Sequence, residues 1–265
     1  MEDFIIEDGV LVEYVGEESE VVIPDDITAI DDEAFRECDV ETVIIPDSVT
    51  SIGAFAFAGT ALRSIIIPNG IKYITPGIFN GCNRLMSITI PNSVERIGEY
   101  AFYGCDGLIS VTIGNGLEAI DYEAFSYCSS LISINIPKSV VYIGENAFEC
   151  CRKLLQVENG VEYVDKWVVN CDTSVLQVQL RNDTVGIADN AFSGCSALTS
   201  ITMSDRVINI GSSAFYACRS LTNINYQGTM SQWRAISKDS DWSNETGDFT
   251  ITCTDGALDK NGNQI

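Results

Sequence analysis

The stretch Leu85-Met86-Ser87-Ile88-Thr89-Ile90-Pro91-Asn92-Ser93-Val94-Glu95-Arg96-Ile97-Gly98-Glu99-Tyr100-Ala101-Phe102-Tyr103-Gly104-Cys105 decides the fold. Leu85, Ile88 and Ile90 suit a short strand in which Ile88 and Ile90 share one face. Pro91 has no N–H, so it ends the strand ladder there. Val94 and Ile97 turn inward on the return path, and Gly98 reads as a tight turn. Ala101-Phe102 sets a small residue beside a large one, as a bent helical turn against a core needs. The next copy opens at Leu108.

Along the rest of the chain, the Ala-Phe marker recurs at Phe35, Phe57, Phe102, Phe125, Phe148, Phe192 and Phe215, with Ile78-Phe79 filling the place after Phe57. The steps between these phenylalanines are 22, 22, 23, 23, 23, 44 and 23 residues, and the long step hides one divergent copy, so nine units follow one another. One unit buries too few apolar groups to offset the entropy of ordering its chain. Stacking must supply the difference through shared strands and a continuous core. The expected object is a curved repeat solenoid, a right-handed superhelix that is mainly β with short helical turns, its parallel sheet on the concave face.

Leu-x-x-Ile-x-Ile-Pro-x-x-Val-x-x-Ile-Gly-x-x-Ala-Phe-x-x-Cys resembles the BspA-like leucine-rich repeat, also called the Treponema pallidum-type repeat. The resemblance covers residues 20 to 226. It implies a bacterial protein, often at the cell surface or secreted, some members acting as adhesins for host matrix proteins or other cells. It brings no catalytic motif with it.

Three regions depart from the pattern. In residues 1–20, Phe4-Ile5-Ile6 and Val10-Leu11-Val12 flank Glu7-Asp8-Gly9 as a hairpin that caps the first rung. Near residues 158–181, Tyr163 and Trp167 replace the Ala-Phe module and Asn170-Cys171-Asp172 makes a turn. This reads as a strand-rich rung with a bulge, or as a hinge or docking ridge. Residues 227–265 form the other cap. There Thr229 N-caps a short helix, Ser237 to Gly247 is loop, Phe249 to Cys253 is a strand, and Asn261-Gly262 signals a hairpin turn. Trp233 and Trp242 cover the last rung.

Composition excludes several functions. The 265 residues carry 15 basic and 38 acidic side chains, a net charge of −23, and no histidine. That removes Ser-His-Asp and Cys-His catalysis and histidine metal sites. A pI near 4.1 argues against nucleic acid and anionic membrane as partners. No apolar run approaches the length of a membrane span. The start Met1-Glu2-Asp3-Phe4 lacks the basic and apolar features of a secretory signal, which leaves the compartment open between surface and cytoplasm. Residues 1 to 47 hold 17 acids and one base, most of the excess. That charge is a solvated face blocking end-to-end stacking, or a patch for a basic partner.

Seven cysteines lie three residues after the motif phenylalanine, from Cys38 to Cys218. One position per rung makes one column of free, buried thiols. Outside it, Cys171 is the expected exposed thiol. On the sheet's open face the outward positions are chiefly hydroxyls and amides, with Ile44 and Ile66 as unusual outward apolar groups. The expected binding residues are therefore Ile44, Ile66, Thr89, Thr112, Asn135, Gln156 and Gln179. No catalytic set, cofactor or metal site is read. The expected function is protein recognition of an adhesion type, with a carbohydrate-binding or purely scaffolding module as the alternative.

Overall fold

The computed structural model describes residues 3–265. The fold is a β-solenoid of about 11 turns, built of parallel sheets with almost no helix. Nine turns are the repeats, and the strands Val10–Tyr14 and Ser237–Lys238 of the end segments supply one further turn each. No helix among the described residues is long and apolar enough to cross a membrane. The chain divides into two compact units. One runs to Val141 and includes Asn146–Leu154; the other comprises Tyr142–Glu145 and Leu155–Ile265.

In the first unit each rung contributes to two parallel ladders. The first ladder holds Glu20–Val22, Thr42–Ile44 and Ser64–Ile65, then, as a separate sheet, Ser87–Ile90, Ser110–Ile113 and Ser133–Ile134. The second holds Val10–Tyr14, Ala29–Ile30 and Ser51–Ile52, then Tyr73–Ile74, Arg96–Ile97 and Ala119–Ile120. The register pairs like with like: Ile88 meets Val111 and Thr89 meets Thr112. Apolar side chains therefore stack in columns under the ladders, and polar ones stack above them. Strand Ser87–Ile90 stops before Pro91, as the missing N–H requires.

The motif phenylalanines form a stack along the core. Tyr14, Phe35, Phe57, Phe79, Phe102, Phe125 and Phe148 follow with ring centroids 5.2, 5.1, 5.9, 5.3, 4.9 and 5.5 Å apart. The expected helical turn around Ala-Phe is not helical. Backbone φ is positive two residues before the ring, at Glu33, Phe55, Gly77, Tyr100 and Glu123, and again two after it, at Glu37, Gly59, Gly81, Gly104 and Tyr127. The reason lies in the donors. Phe57, Phe79 and Phe102 N–H groups donate to Ile78, Ala101 and Ala124 of the following rung at 3.0, 2.9 and 2.8 Å. A helix would turn those N–H groups back along its own axis; here they run sideways as a third ladder. Gly98 also serves differently from the tight turn expected. It does not need left-handed backbone. A Cβ there would sit 2.7 Å from Tyr73 Oη and 2.9 Å from the Ile74 carbonyl, so glycine is required by close approach.

The thiol column is present. Cys82, Cys105, Cys128 and Cys151 each donate Sγ–H to the carbonyl of a phenylalanine one rung earlier, at 3.0–3.1 Å. Burial pushes the Cys82 thiol up to about 11 and the Cys105 thiol well above its ordinary value. All ten cysteines are free, and only Cys38 and Cys150 are partly exposed. A thiol reagent should therefore modify Cys38 and Cys150 in the native protein and all ten after unfolding without reductant. Fewer than ten in denaturant would show that the column holds disulfides.

Phe4–Glu7 pairs antiparallel with Val10–Tyr14 in a hairpin, with Asp8 and Gly9 both at positive φ in the turn. Tyr14 takes the place of a motif phenylalanine beneath Phe35.

In the second unit the divergent segment folds as three antiparallel strands, Gln156–Glu158, Val161–Val164 and Trp167–Cys171, with a bulge at Glu162/Tyr163. Trp167–Cys171 then joins Gly186–Ile187 in parallel. Tyr163 and Trp167 are buried. Cys171, expected to be exposed, is buried at 5%. The strand runs through Asn170 and Cys171, and the turn begins at Asp172, so the thiol points into the core beside Cys195. That contact, then burial, drives its pKa upward.

Thr229 caps the helix Met230–Ala235, and Gln232 completes a capping box. Trp233 and Trp242 are buried, with Trp242 edge-on to Phe215 at 5.7 Å. Strand Thr250–Cys253 forms, but its hairpin with Gly256–Asp259 turns at Thr254-Asp255. Asn261-Gly262 makes a later turn that folds Gln264 back to Leu258, held by the Asp259 carboxylate accepting from Asn261 and Asn263.

Candidate functional surface

The outward row of the first ladder starts with three apolar side chains. Val22 pairs in register with Ile44, and Ile66 follows in the next rung. Their exposures are 64%, 56% and 83%. Sequence reasoning found Ile44 and Ile66 and missed Val22. The signal was available: Val22-Ile23-Pro24 repeats as Ile44-Ile45-Pro46 and Ile66-Ile67-Pro68, so the row begins one rung earlier. Thr89 and Thr112 continue it, paired and exposed.

The ladder breaks where the row changes from apolar to threonine. The cause is a change in repeat length. Thr60 to Cys82 is a step of 22 residues, but Leu62 to Leu85 is a step of 23. The extra residue enters the Cys82–Leu85 loop, just ahead of strand Ser87–Ile90. Its effect is visible in one bond. Met86 N–H reaches the Arg63 carbonyl at 3.5 Å, while the equivalent bonds on either side, Arg63 to Glu41 and Ile109 to Met86, are 3.0 and 2.8 Å. At 3.5 Å little hydrogen-bond energy remains. The strands part and leave an open groove of about 630 Å³. Ile66, Ser64, Ser87, Thr89, Thr112 and Asn92 line it, without a charged group.

Three charged residues brace this part of the ladder. Arg63 forks onto both oxygens of Glu41 at 3.1 Å, and Arg84 reaches Glu41 Oε1 at 3.1 Å. The Arg63 guanidinium, with Arg84 behind it, holds the Glu41 carboxyl below its ordinary value. All three side chains are well solvated, so the cluster orders the rim more than it stabilises the fold.

The other expected residues sit differently. Asn135 accepts from Ile113 N–H and donates to the Ile113 carbonyl, both at 2.8 Å. Its amide stands in for the peptide group that the two-residue strand Ser133–Ile134 does not extend far enough to supply. Gln156 and Gln179 belong to the second unit. Gln156 lies on the antiparallel strand and accepts from Arg181 at 2.8 Å. Gln179 is exposed on the parallel strand Gln177–Gln179. Thus Ile44, Ile66, Thr89 and Thr112 share one row with Val22, Asn135 caps a ladder, and the two glutamines lie in the other unit. No group of three or more His, Cys, Asp or Glu residues that could hold a metal ion occurs among the described residues.

Residues 13–132, 73–169 and 118–237 match the family model described as BspA type leucine rich repeat region, in six copies. The chain is also similar to solved structures. One is a leucine rich cell surface protein from Faecalibacterium prausnitzii, 22% identical, covering 89% of this chain and 96% of its own, with a TM-score of 0.48. Another is a leucine-rich repeat protein from Bacteroides ovatus, 22% identical, covering 96% and 88%, with a TM-score of 0.47. A third is the T. pallidum leucine-rich repeat protein, 23% identical, covering 81% and 72%, with a TM-score of 0.33. No curated protein matches the chain.

Proposed function

Because this chain belongs to the BspA-type leucine-rich repeat family, we propose that it is a non-catalytic recognition module, and that it binds a protein through the outward face of its first ladder. Leucine-rich repeat proteins generally mediate protein interactions. The observation that carries the choice of face is the strip Val22, Ile44 and Ile66, three branched apolar side chains held outward in successive rungs. Branched residues on a rigid ladder lose little entropy on contact, and an exposed apolar strip with a polar border is the usual form of a recognition surface. Thr89 and Thr112 extend it with hydroxyls. The partner is a protein of the host matrix or of another cell surface, and the module acts in adhesion. The absence of histidine supports a non-enzymatic role.

The Ile44→Asp, Ile66→Asp double variant tests the face. Both residues are exposed, so the fold should be kept and binding of matrix proteins in a pull-down should drop at least about tenfold. Unchanged capture would discard the face. A glycan array run beside it addresses the hydroxyl-lined groove: saturable glycan binding lost in a Thr89→Val, Thr112→Val variant would favour the carbohydrate reading instead.

A further inference from the structure

The two ladders of the first unit are not closed alike. The terminal hairpin pairs through Val10–Tyr14 with Ala29–Ile30, which closes the second ladder. The first strand of the first ladder, Glu20–Val22, is left at the edge of its sheet. The hydrogen-bond phase shows what that edge offers. Thr42 N–H donates to the Ser19 carbonyl and Ile23 N–H to the Ile44 carbonyl, each at 3.0 Å. In a parallel ladder this phase turns the N–H and C=O of Val21 toward strand Thr42–Ile44, and those of Glu20 and Val22 the opposite way. Two donors and two acceptors therefore face outward in strand geometry. An open edge of this kind is a template for another chain.

The surroundings select the occupant. Glu17, Glu18, Glu20, Asp25 and Asp26 are all exposed, and none forms an ion pair among the described residues. These carboxylates repel a second copy of this same edge and attract a basic segment. The side chain of Val22 stands exposed between them.

We propose that the edge of Glu20–Val22 takes up an extended, lysine- or arginine-bearing segment of a partner protein as an additional parallel strand. The inference rests on the reading of this face as a protein-recognition surface and names the partner's chemistry at its first strand. The added strand places a basic residue beside Glu20, an inward apolar residue over Val21, and an outward apolar residue that continues the row of Val22, Ile44 and Ile66. Basic residues further on meet Asp25 and Asp26. The complementary segment is thus residues 20–26 with their charges reversed, Lys-Val-Val-Ile-Pro-Lys-Lys.

That heptapeptide, flanked by glycines, is the probe for titration of the full chain by fluorescence anisotropy. It should bind with a Kd on the order of 100 µM at low salt and weaken about tenfold on raising salt from about 50 to about 300 mM. The acidic counterpart, Glu-Val-Val-Ile-Pro-Asp-Asp, and the lysine peptide N-methylated on its edge-facing amides should not bind. Val22→Pro blocks the edge but spares the bonds to strand Thr42–Ile44, since proline is tolerated on an edge strand; it should melt like the parent chain and lose the peptide. The Ile44→Asp, Ile66→Asp variant leaves the edge intact and should keep the peptide, so unchanged matrix binding there with peptide binding retained would sink only the face reading. No saturable binding by the lysine peptide, equal binding of the acidic or N-methylated peptide, or full binding by a folded Val22→Pro chain overturns the proposal. So does a dimer of the chain that Val22→Pro dissolves, because the occupant is then a second copy.

Discussion

Phe102→Ala should destabilise the protein by about 3–5 kcal/mol, read as a lower urea midpoint with little change in slope. Phe102 is fully buried and lies between Phe79 at 5.3 Å and Phe125 at 4.9 Å. Its ring is nearly parallel to that of Phe125, with 1° between their planes. Truncation leaves a ring-sized void with phenyl faces above and below. Those faces cannot close on each other, because the inter-rung bonds Phe79 to Ala101 and Phe102 to Ala124 fix the spacing. A void that cannot collapse gives the upper part of the expected range. In a stack of rungs that touch only their neighbours the damage is local. Amide exchange should accelerate most around residues 79–125. Tyr127→Ala, at an exposed ring, is the control and should change stability by less than about 0.5 kcal/mol.

Gly186→Ala should cost about 3 kcal/mol, a large effect for one methyl group. The added Cβ would lie 2.4–2.6 Å from three atoms of the Trp167 ring, which is itself buried and has nowhere to swing. The equivalent position in other rungs is Ala29, Ser51, Tyr73, Arg96, Ala119, Asn209 and Ser237, so the ladder does not of itself demand glycine there. Only the rung stacked on Trp167 does. Trp167→Leu should be destabilising alone, yet Gly186→Ala added to it should cost about 1–2 kcal/mol less than in the parent. Additive costs, measured by chemical denaturation of the four proteins, would show that the clash is relieved elsewhere.

Much of this fold is legible in the amino-acid sequence, because the determinants repeat. Phenylalanine at a fixed step, proline after the strand in five rungs, and an aromatic at either end locate the rungs, the ladder ends and the caps. What escaped depends on relations between rungs. The left-handed positions are occupied by Glu33, Phe55, Gly77, Tyr100 and Glu123, a set with no common chemistry. They are imposed by where the next rung needs donors. Gly98 announces flexibility but serves proximity to Tyr73. Cys171 looked exposed because its rung lacks the usual motif, and the antiparallel strands that bury it leave no periodic trace. For the surface, Ile44 and Ile66 were legible as apolar residues in outward places. Asn135 was not legible as a ladder cap, because that role depends on a strand ending two residues early.

The sideways donors of the phenylalanine turns bear on how such a chain can change its length. Each rung presents the same acceptors to its predecessor and the same donors to its successor, so a gene rearrangement that removes or duplicates one whole period rejoins matching surfaces. The exceptions are the divergent antiparallel strands of residues 156–171, which carry no phenylalanine turn, and the junction at Cys82–Leu85. Recombination between a short and a long period moves or erases the step in register, and with it the groove. Homologous exchange within this gene would thus be structurally silent over most of its span and would remodel the groove at one locus.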